Sequence, residues 1–389
     1  MRVCIVLHTD LFEPWPVLRA QREVDVLKEL GREVVVVSWI KDESSPLPIH
    51  EVREGVRIRR VKFRPPSGPL ARALGYRRIS RMFAREIEAT RPDAILCHDL
   101  EMLWSAVMAG RTLRVPILYH AHEDWPAMVS ERNPLEARAF SNLERRLVRS
   151  VDHVYTVGEE LASKYRAWGK TVTVQYGSKA IADLPRLSET EKAEIRKAFG
   201  FDSRVILVGI AGSLGRDEAL PSIFGAIATL PETVKLFIVG GLPRKVEAAK
   251  ALVDEHRLSG RVAFTGRMST PTYMRHVAVL DIGLALFYPT SANQRVVVPL
   301  KLFDYMGLGI PVIVSDFESM RRIVDTSGFG VTADPKDKGS IARAVRSLVD
   351  EPKRRGAMSA AALRSFETTY AWERQKEALL ASHPVFRPA

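Results

Sequence analysis

Val205-Ile206-Leu207-Val208-Gly209-Ile210-Ala211-Gly212-Ser213-Leu214-Gly215-Arg216 is an apolar run that stops in a glycine-spaced turn ending on an arginine. A run of this kind lacks the period-two alternation of a half-exposed strand and suits a strand covered on both faces, as in a parallel sheet. The same pattern recurs outward in both directions. Upstream it returns at Val3–Leu7, Val34–Ser38, Ala94–Cys97, Ile117–His120 and Val154–Val157, and a short strand, Val172–Val174, follows before the chain turns polar. Downstream it returns at Lys235–Val239, Val262–Phe264, Ile282–Leu286 and Val312–Val314. Helical patterns lie between these runs. Val17, Leu18, Val24, Leu27 and Leu30 mark one with Gly31 as its stop, and Pro221–Leu230 and Arg244–Glu255 read the same way. Strand–helix–strand repetition predicts an α/β fold with a doubly wound parallel sheet, and it occurs twice, on either side of a polar segment between Tyr176 and Glu191.

At 389 residues the chain has length for about two domains. Cys4 and Cys97 are its two cysteines, and both fall in apolar runs with no cluster of further cysteines, which argues against a disulfide framework or a zinc site. Val3–Leu7 is too short for a signal peptide, and no stretch approaches a membrane span. The expectation is a cytoplasmic protein. Its net charge of +12 is concentrated, with 12 basic and 3 acidic residues between positions 53 and 91. Within that segment Leu70–Ala89 reads as a helix. Ile79, Met82, Phe83 and Ile87 form its apolar stripe, and Arg77, Arg78, Arg81 and Arg85 lie off it. A basic face on an amphipathic helix fits either a solvated surface or an anionic membrane surface. Few aromatics accompany it and no nucleic-acid motif is present, so nucleic acid is not expected as a partner.

In a doubly wound sheet ligands bind beyond the carboxyl ends of the strands. Gly212, Ser213 and Leu214 follow one strand, where glycines let the backbone approach a phosphate and Arg216 adds a cationic fork; a tight structural turn explains the same glycines. After another strand comes Pro299-Leu300-Lys301-Leu302-Phe303-Asp304-Tyr305-Met306-Gly307, in which Asp304 opens a helix, and a carboxylate there is also a common cap or ion-pair partner for Lys301. In the first half, His98-Asp99 ends one strand and Tyr119-His120-Ala121-His122-Glu123-Asp124 ends the next. Histidine beside an acid suits proton transfer near neutral pH. The HExxH spacing of a zinc protease is absent, which weakens a metal reading.

Together, Pro299 to Val312, Tyr119 to Pro126, His98-Asp99, Val262 to Arg267 and Asp281 to Leu284 resemble the glycosyltransferases of family 4, which have the GT-B fold. The resemblance runs along nearly the whole chain. It implies two Rossmann-like domains facing a cleft: an acceptor domain over 1–180, a donor domain over 181–364, and a C-terminal helix in 365–389 crossing back. It implies transfer of a sugar, with retention and without a metal or cofactor, from a nucleotide-diphosphate sugar co-substrate, and roles in polysaccharide or lipid-linked glycoconjugate synthesis at the inner face of the membrane. Carried over by position, Asp304 holds the ribose hydroxyls. Lys301 and Arg216 face the diphosphate, and Gly212, Ser213, Leu214, Gly240 and Leu302 line it. Arg267 and Met268 lie near the base, His122 and Glu123 form the reacting region, and His98 and Asp99 flank the acceptor side. Two departures are visible. Val296 stands where the family usually has a first glutamate, and Asp217-Glu218-Ala219 replaces a Lys-Gly pair at the phosphates. They keep a second reading in play, a weakened relative serving as a binding or partner subunit.

Overall fold

The structure is a computed structural model that describes residues 1–13, 17–64, 69–131, 133–215 and 217–388, with side chains from 75 onward in the helix that begins at 69. It forms two compact units, Met1–Tyr176 with Lys376–Ala389, and Gly177–Gln375.

The first unit is built on β1 (Arg2–Leu7), β2 (Glu33–Ile40), β3 (His50–Arg53), β4 (Val56–Lys62), β5 (Ala94–His98), β6 (Ile117–Ala121), β7 (His153–Thr156) and β8 (Val172–Val174), in the order β3-β4-β2-β1-β5-β6-β7-β8. Every neighbouring pair is parallel except the edge pair β3–β4. Val3, Cys4, Ile5 and Val6 are fully buried, as a central strand with covered faces requires. Strands β3 and β4 escape a search for apolar runs. Val-Arg-Ile-Arg-Arg-Val-Lys alternates, and one of its inward positions is Arg60. That guanidinium is fully buried and pairs with Asp10 at 2.5 Å and Glu51 at 2.7 Å. Arg53, Arg57 and Arg59 are likewise paired, with Glu13, Glu33 and Glu86. The basic segment thus divides into a neutralised sheet edge and a helix, Pro69–Thr90, whose Arg77, Arg78, Arg81 and Arg85 are exposed.

The second unit contains β9 (Ile206–Gly212), β10 (Val234–Gly240), β11 (Val262–Phe264), β12 (Ile282–Ala285), β13 (Val312–Ser315) and β14 (Gly330–Ala333), all parallel in the order β11-β10-β9-β12-β13-β14. Val208, Ile210, Ile223, Phe224, Leu236, Ile238, Leu284 and Ile313 belong to its core. Strand β14 is short and weakly apolar. It is held close to β13 at Gly330, where a Cβ would lie 2.4 Å from the Val312 carbonyl. The tail, expected as one helix, is broken. A wide turn at Phe366–Tyr370 ends in an extended Ala371 before a second helix, Trp372–Ser382. The end of that helix docks on the first unit, with Ser382 Oγ 2.7 Å from the Tyr155 hydroxyl. Among the described residues no helix is long and apolar enough to cross a membrane.

Candidate active site

In the first unit, parallel pairing sets His98 opposite His120 in register at the carboxyl ends of β5 and β6. His122 follows two residues later, and one nitrogen from each of the three rings lies within 4.8 Å of the others. Behind them the helix Leu18–Glu29 supplies Glu23. Its two carboxylate oxygens stand 2.8 Å from His98 Nε2 and 2.8 Å from His120 Nδ1. The His120 contact is a well-formed hydrogen bond, whereas the His98 contact is close but angled away from one. His98 Nδ1 meets His122 Nε2 at 2.9 Å, and His122 Nδ1 meets Arg19 Nη1 at 3.3 Å. One proton arrangement satisfies these contacts. The arginine donates to His122 Nδ1, His122 Nε2–H donates to His98, and both rings turn an N–H toward Glu23.

Burial sets the charges of this cluster. It lowers His120 to about 4, and with Arg19 and the neighbouring rings it lowers His122 well below the usual imidazole range. Burial alone raises a carboxylate, but His98 and His120 outweigh it and hold Glu23 well below its ordinary value. The cluster is therefore two neutral rings around an ionised acid, with His98 between them. Asp99 ties the strand ends together. Its amide donates to the His120 carbonyl at 2.9 Å, and its carboxylate accepts from the His122 amide at 3.3 Å and meets His8 Nδ1 at 3.0 Å. Burial opposes protonation of His8, but Asp99 outweighs it and raises the ring above its ordinary value. Asp99 does this at φ 63° and ψ 157°, a region nearly reserved for glycine, and strain of this kind concentrates at functional sites. Glu123 is exposed. Asp124 caps the helix Trp125–Val129 through the Ala127 amide and pairs with Lys164, so its work is structural.

In the second unit, β9 ends at Gly212, where φ is 111°, and the chain turns through Leu214 at φ 57°. Leu214 is buried while Ser213 is exposed. Gly240 ends β10 opposite Gly212, and a Cβ on it would strike the Gly212 carbonyl at 2.5 Å. Only glycine permits that approach with φ at 98°. A Cβ on Gly212 would lie 3.8 Å from Lys301 Nζ, so the ammonium stands directly over the turn. The helix carrying it is Leu300–Gly307, and Tyr305 pins that helix to the sheet by accepting from the Ala211 amide at 2.9 Å.

This corrects the expectation that Asp304 opens the helix. Pro299 takes the N-cap position and Asp304 lies in the helix interior, which removes the capping explanation. Nor do Lys301 and Asp304 pair. Lys301 bonds to Glu218, and Asp304 bonds to Lys179 and accepts from the Tyr273 hydroxyl at 3.3 Å. Leu302 is fully buried, so only its backbone can face a ligand. Arg267 is exposed and Met268 half-buried after Gly266, which bridges to Gly240. Arg216 lies outside the described residues.

Models of two protein families match the chain: "Glycosyl transferase 4-like domain" over residues 17–176 and "Glycosyl transferases group 1" over 191–365. The structure is similar to that of Anabaena HepE in complex with UDP, at a TM-score of 0.75 with 14% identity, covering 97% of this chain and 98% of that one; a likeness at that identity speaks for the fold. The chain belongs to glycosyltransferase family 4 and has the GT-B fold. Among curated proteins, this glycosyltransferase is 23% identical to an alpha-D-kanosaminyltransferase of Streptomyces kanamyceticus over 44% of this chain and 43% of that protein. The match thus spans less than half of that relative. It is 24% identical to a GDP-mannose-dependent monoacylated alpha-(1-6)-phosphatidylinositol monomannoside mannosyltransferase of Corynebacterium glutamicum, over 72% of this chain and 71% of that one. The name of the second relative gives GDP-mannose, a nucleotide sugar, as its donor.

Sequence reading missed Glu23, Arg19, His8, Glu218, Lys179 and Tyr273 at these sites. Glu23 left a usable signal, since it falls four and seven positions before Leu27 and Leu30 on the buried stripe of its helix.

Proposed function

We propose that this glycosyltransferase binds a nucleoside-diphosphate sugar on the second unit and passes the sugar, with retention, to an acceptor carrying a lipid-linked or polysaccharide hydroxyl. The observation that carries the reading is the placement of Lys301 over the Gly212 turn, on a helix that also buries Asp304. A diphosphate at that turn meets the backbone amides of the glycine-spaced loop and the ammonium of Lys301. A carboxylate accepts two ribose hydroxyls at once, the role given to Asp304. Arg267 and Met268 border the base. Charge that develops on the departing diphosphate is stabilised by Lys301 and by loop dipoles fixed before the reaction begins. His122, kept neutral by burial and by the neighbouring Arg19, exchanges its 3.3 Å Arg19 contact at Nδ1 for a sugar hydroxyl, and Asp99 fixes its backbone. Nothing in this scheme needs a metal at the diphosphate.

Donor turnover tests the proposal. Release of nucleoside diphosphate from UDP-glucose, GDP-mannose or another nucleotide sugar is expected for the native chain and should fall at least tenfold in Asp304→Ala and in His122→Ala. Turnover indifferent to both changes overturns the assignment, and no turnover with any donor would favour the partner-subunit reading. The exposed row Arg77, Arg78, Arg81 and Arg85 supports placement at an anionic membrane surface, where each basic residue contributes about 1 kcal/mol. Co-sedimentation with anionic but not neutral vesicles at low salt is expected; equal pelleting with both refutes it.

A further inference from the structure

Three imidazoles meeting at adjacent strand ends are more than a sugar contact requires. We propose that His98, His120 and His122 form a binding site for a late first-row divalent cation of the zinc class, held from behind by Glu23. The site lies wholly within the first unit, and the binding does not depend on the transfer reading above.

The donor set fits such an ion. The three rings each offer a nitrogen within 4.8 Å of the others. A tetrahedral ion with metal–nitrogen distances of about 2.0–2.1 Å needs its ligands roughly 3.3 Å apart, and His98 Nδ1 and His122 Nε2 already stand 2.9 Å apart. The nitrogens on the far side of two rings are taken. Glu23 meets His98 Nε2 and His120 Nδ1, each at 2.8 Å. A carboxylate on the outer nitrogen is the arrangement that fixes tautomer and ring orientation in histidine metal sites, leaving the inner lone pair for the ion. The independent observation is His120 Nε2. Its ring is fully buried, and this nitrogen has no hydrogen-bond partner among the described residues. A buried ring nitrogen is seldom left unsatisfied unless something else engages it. His122 is the partly exposed member, so solvent reaches the site from its side.

Loading displaces one proton. The proton now between His122 Nε2 and His98 Nδ1 moves to His122 Nδ1, and that nitrogen gives up its contact with Arg19 Nη1, now at 3.3 Å. Arg19 therefore opposes the ion, and its removal tightens binding. Imidazole ligands favour Zn²⁺, Cu²⁺, Ni²⁺ and Co²⁺ over Mg²⁺ or Ca²⁺. In the proposed transfer, a bound ion occupies His122 and slows the reaction, a consequence that rests on the functional reading while the site itself does not.

The test is titration of the untagged, metal-free full chain with Zn²⁺ by calorimetry and with Co²⁺ by ligand-field absorbance. One ion per chain is expected, with Mg²⁺ giving no signal. His120→Asn should lower the affinity at least about 100-fold and Glu23→Gln about 10- to 100-fold. Arg19→Ala should raise it, and His50→Asn, on an exposed histidine of β3, should leave it unchanged. Circular dichroism checks that each variant folds, and His122→Asn, on the more exposed ring, replaces His120→Asn if the latter does not. No Zn²⁺ uptake, or uptake that survives both His120→Asn and His122→Asn, overturns the proposal whether or not the chain transfers sugar.

Discussion

The two units place polar clusters at the carboxyl ends of the same kind of sheet, yet build them from opposite materials. In the first, neutral imidazoles surround one ionised carboxylate, and burial sets their protonation. In the second, two lysines are each matched by a carboxylate, Lys301 by Glu218 and Lys179 by Asp304. The first cluster is held together by its own histidine–carboxylate contacts and responds to protons. In the donor reading proposed above, the second is a set of placeholders: a diphosphate takes Lys301 from Glu218, and ribose hydroxyls share Asp304 with Lys179. A parallel strand end is thus a place to put a site, and the side chains around it decide what charge that site presents.

Removing the central acid of the first cluster should have the largest effect. Glu23→Ala leaves the buried His120 N–H without its acceptor, at about 1–3 kcal/mol, and removes the carboxylate beside His98, and should lower the urea midpoint of the first unit accordingly. An unchanged midpoint breaks the idea that Glu23 organises the cluster. Acid should be the next largest lever. Because the folded His120 titrates near 4 rather than 6.5, the unfolded chain binds its proton first as pH falls, and the stability present above pH 6.5 is lost on the way down to about 4. That loss amounts to about 3 kcal/mol from this residue, and Glu23 extends it below the ordinary carboxylate range. Thermal melts of the native chain and His120→Asn across this range should differ in slope; parallel curves contradict the assignment.

In the second unit the effects are smaller and of opposite sign at the two partners. Lys301→Met should weaken nucleoside diphosphate binding by about 1.5–3 kcal/mol, roughly 10- to 150-fold. Glu218→Gln should tighten it by up to about tenfold, since the phosphate no longer competes with a carboxylate for Lys301. Calorimetry on both variants decides the point, and weaker binding in Glu218→Gln would turn Glu218 from a competitor into a support.

The sheets were legible because parallel strands buried on both faces are apolar throughout, as in Val3–Leu7 and Ile206–Ile210. The alternating strand with Arg60 turned inward was not, since an arginine reads as surface until Asp10 is seen against it. His98, Asp99 and His122 could be placed near one another because each follows a predicted strand. The pairing of β5 with β6 in register was not available from spacing, and Glu23 showed only as an acid on the apolar stripe of its helix; the two together make three histidines into one cluster. Lys301 and Asp304, one helical turn apart, looked like a pair. Their partners instead stand 83 and 125 positions away, a separation that only the folded chain closes.

The central claim is that the helix Leu300–Gly307 and the Gly212 turn hold the donor nucleotide. It is tested most directly by titrating UDP, GDP and ADP into the native chain and into the double variant Lys301→Met with Asp304→Asn, with the melting temperature of both recorded. The account predicts one site per chain for at least one nucleotide, lost in the double variant while its fold and melting temperature are retained. Binding of equal affinity in the double variant contradicts it.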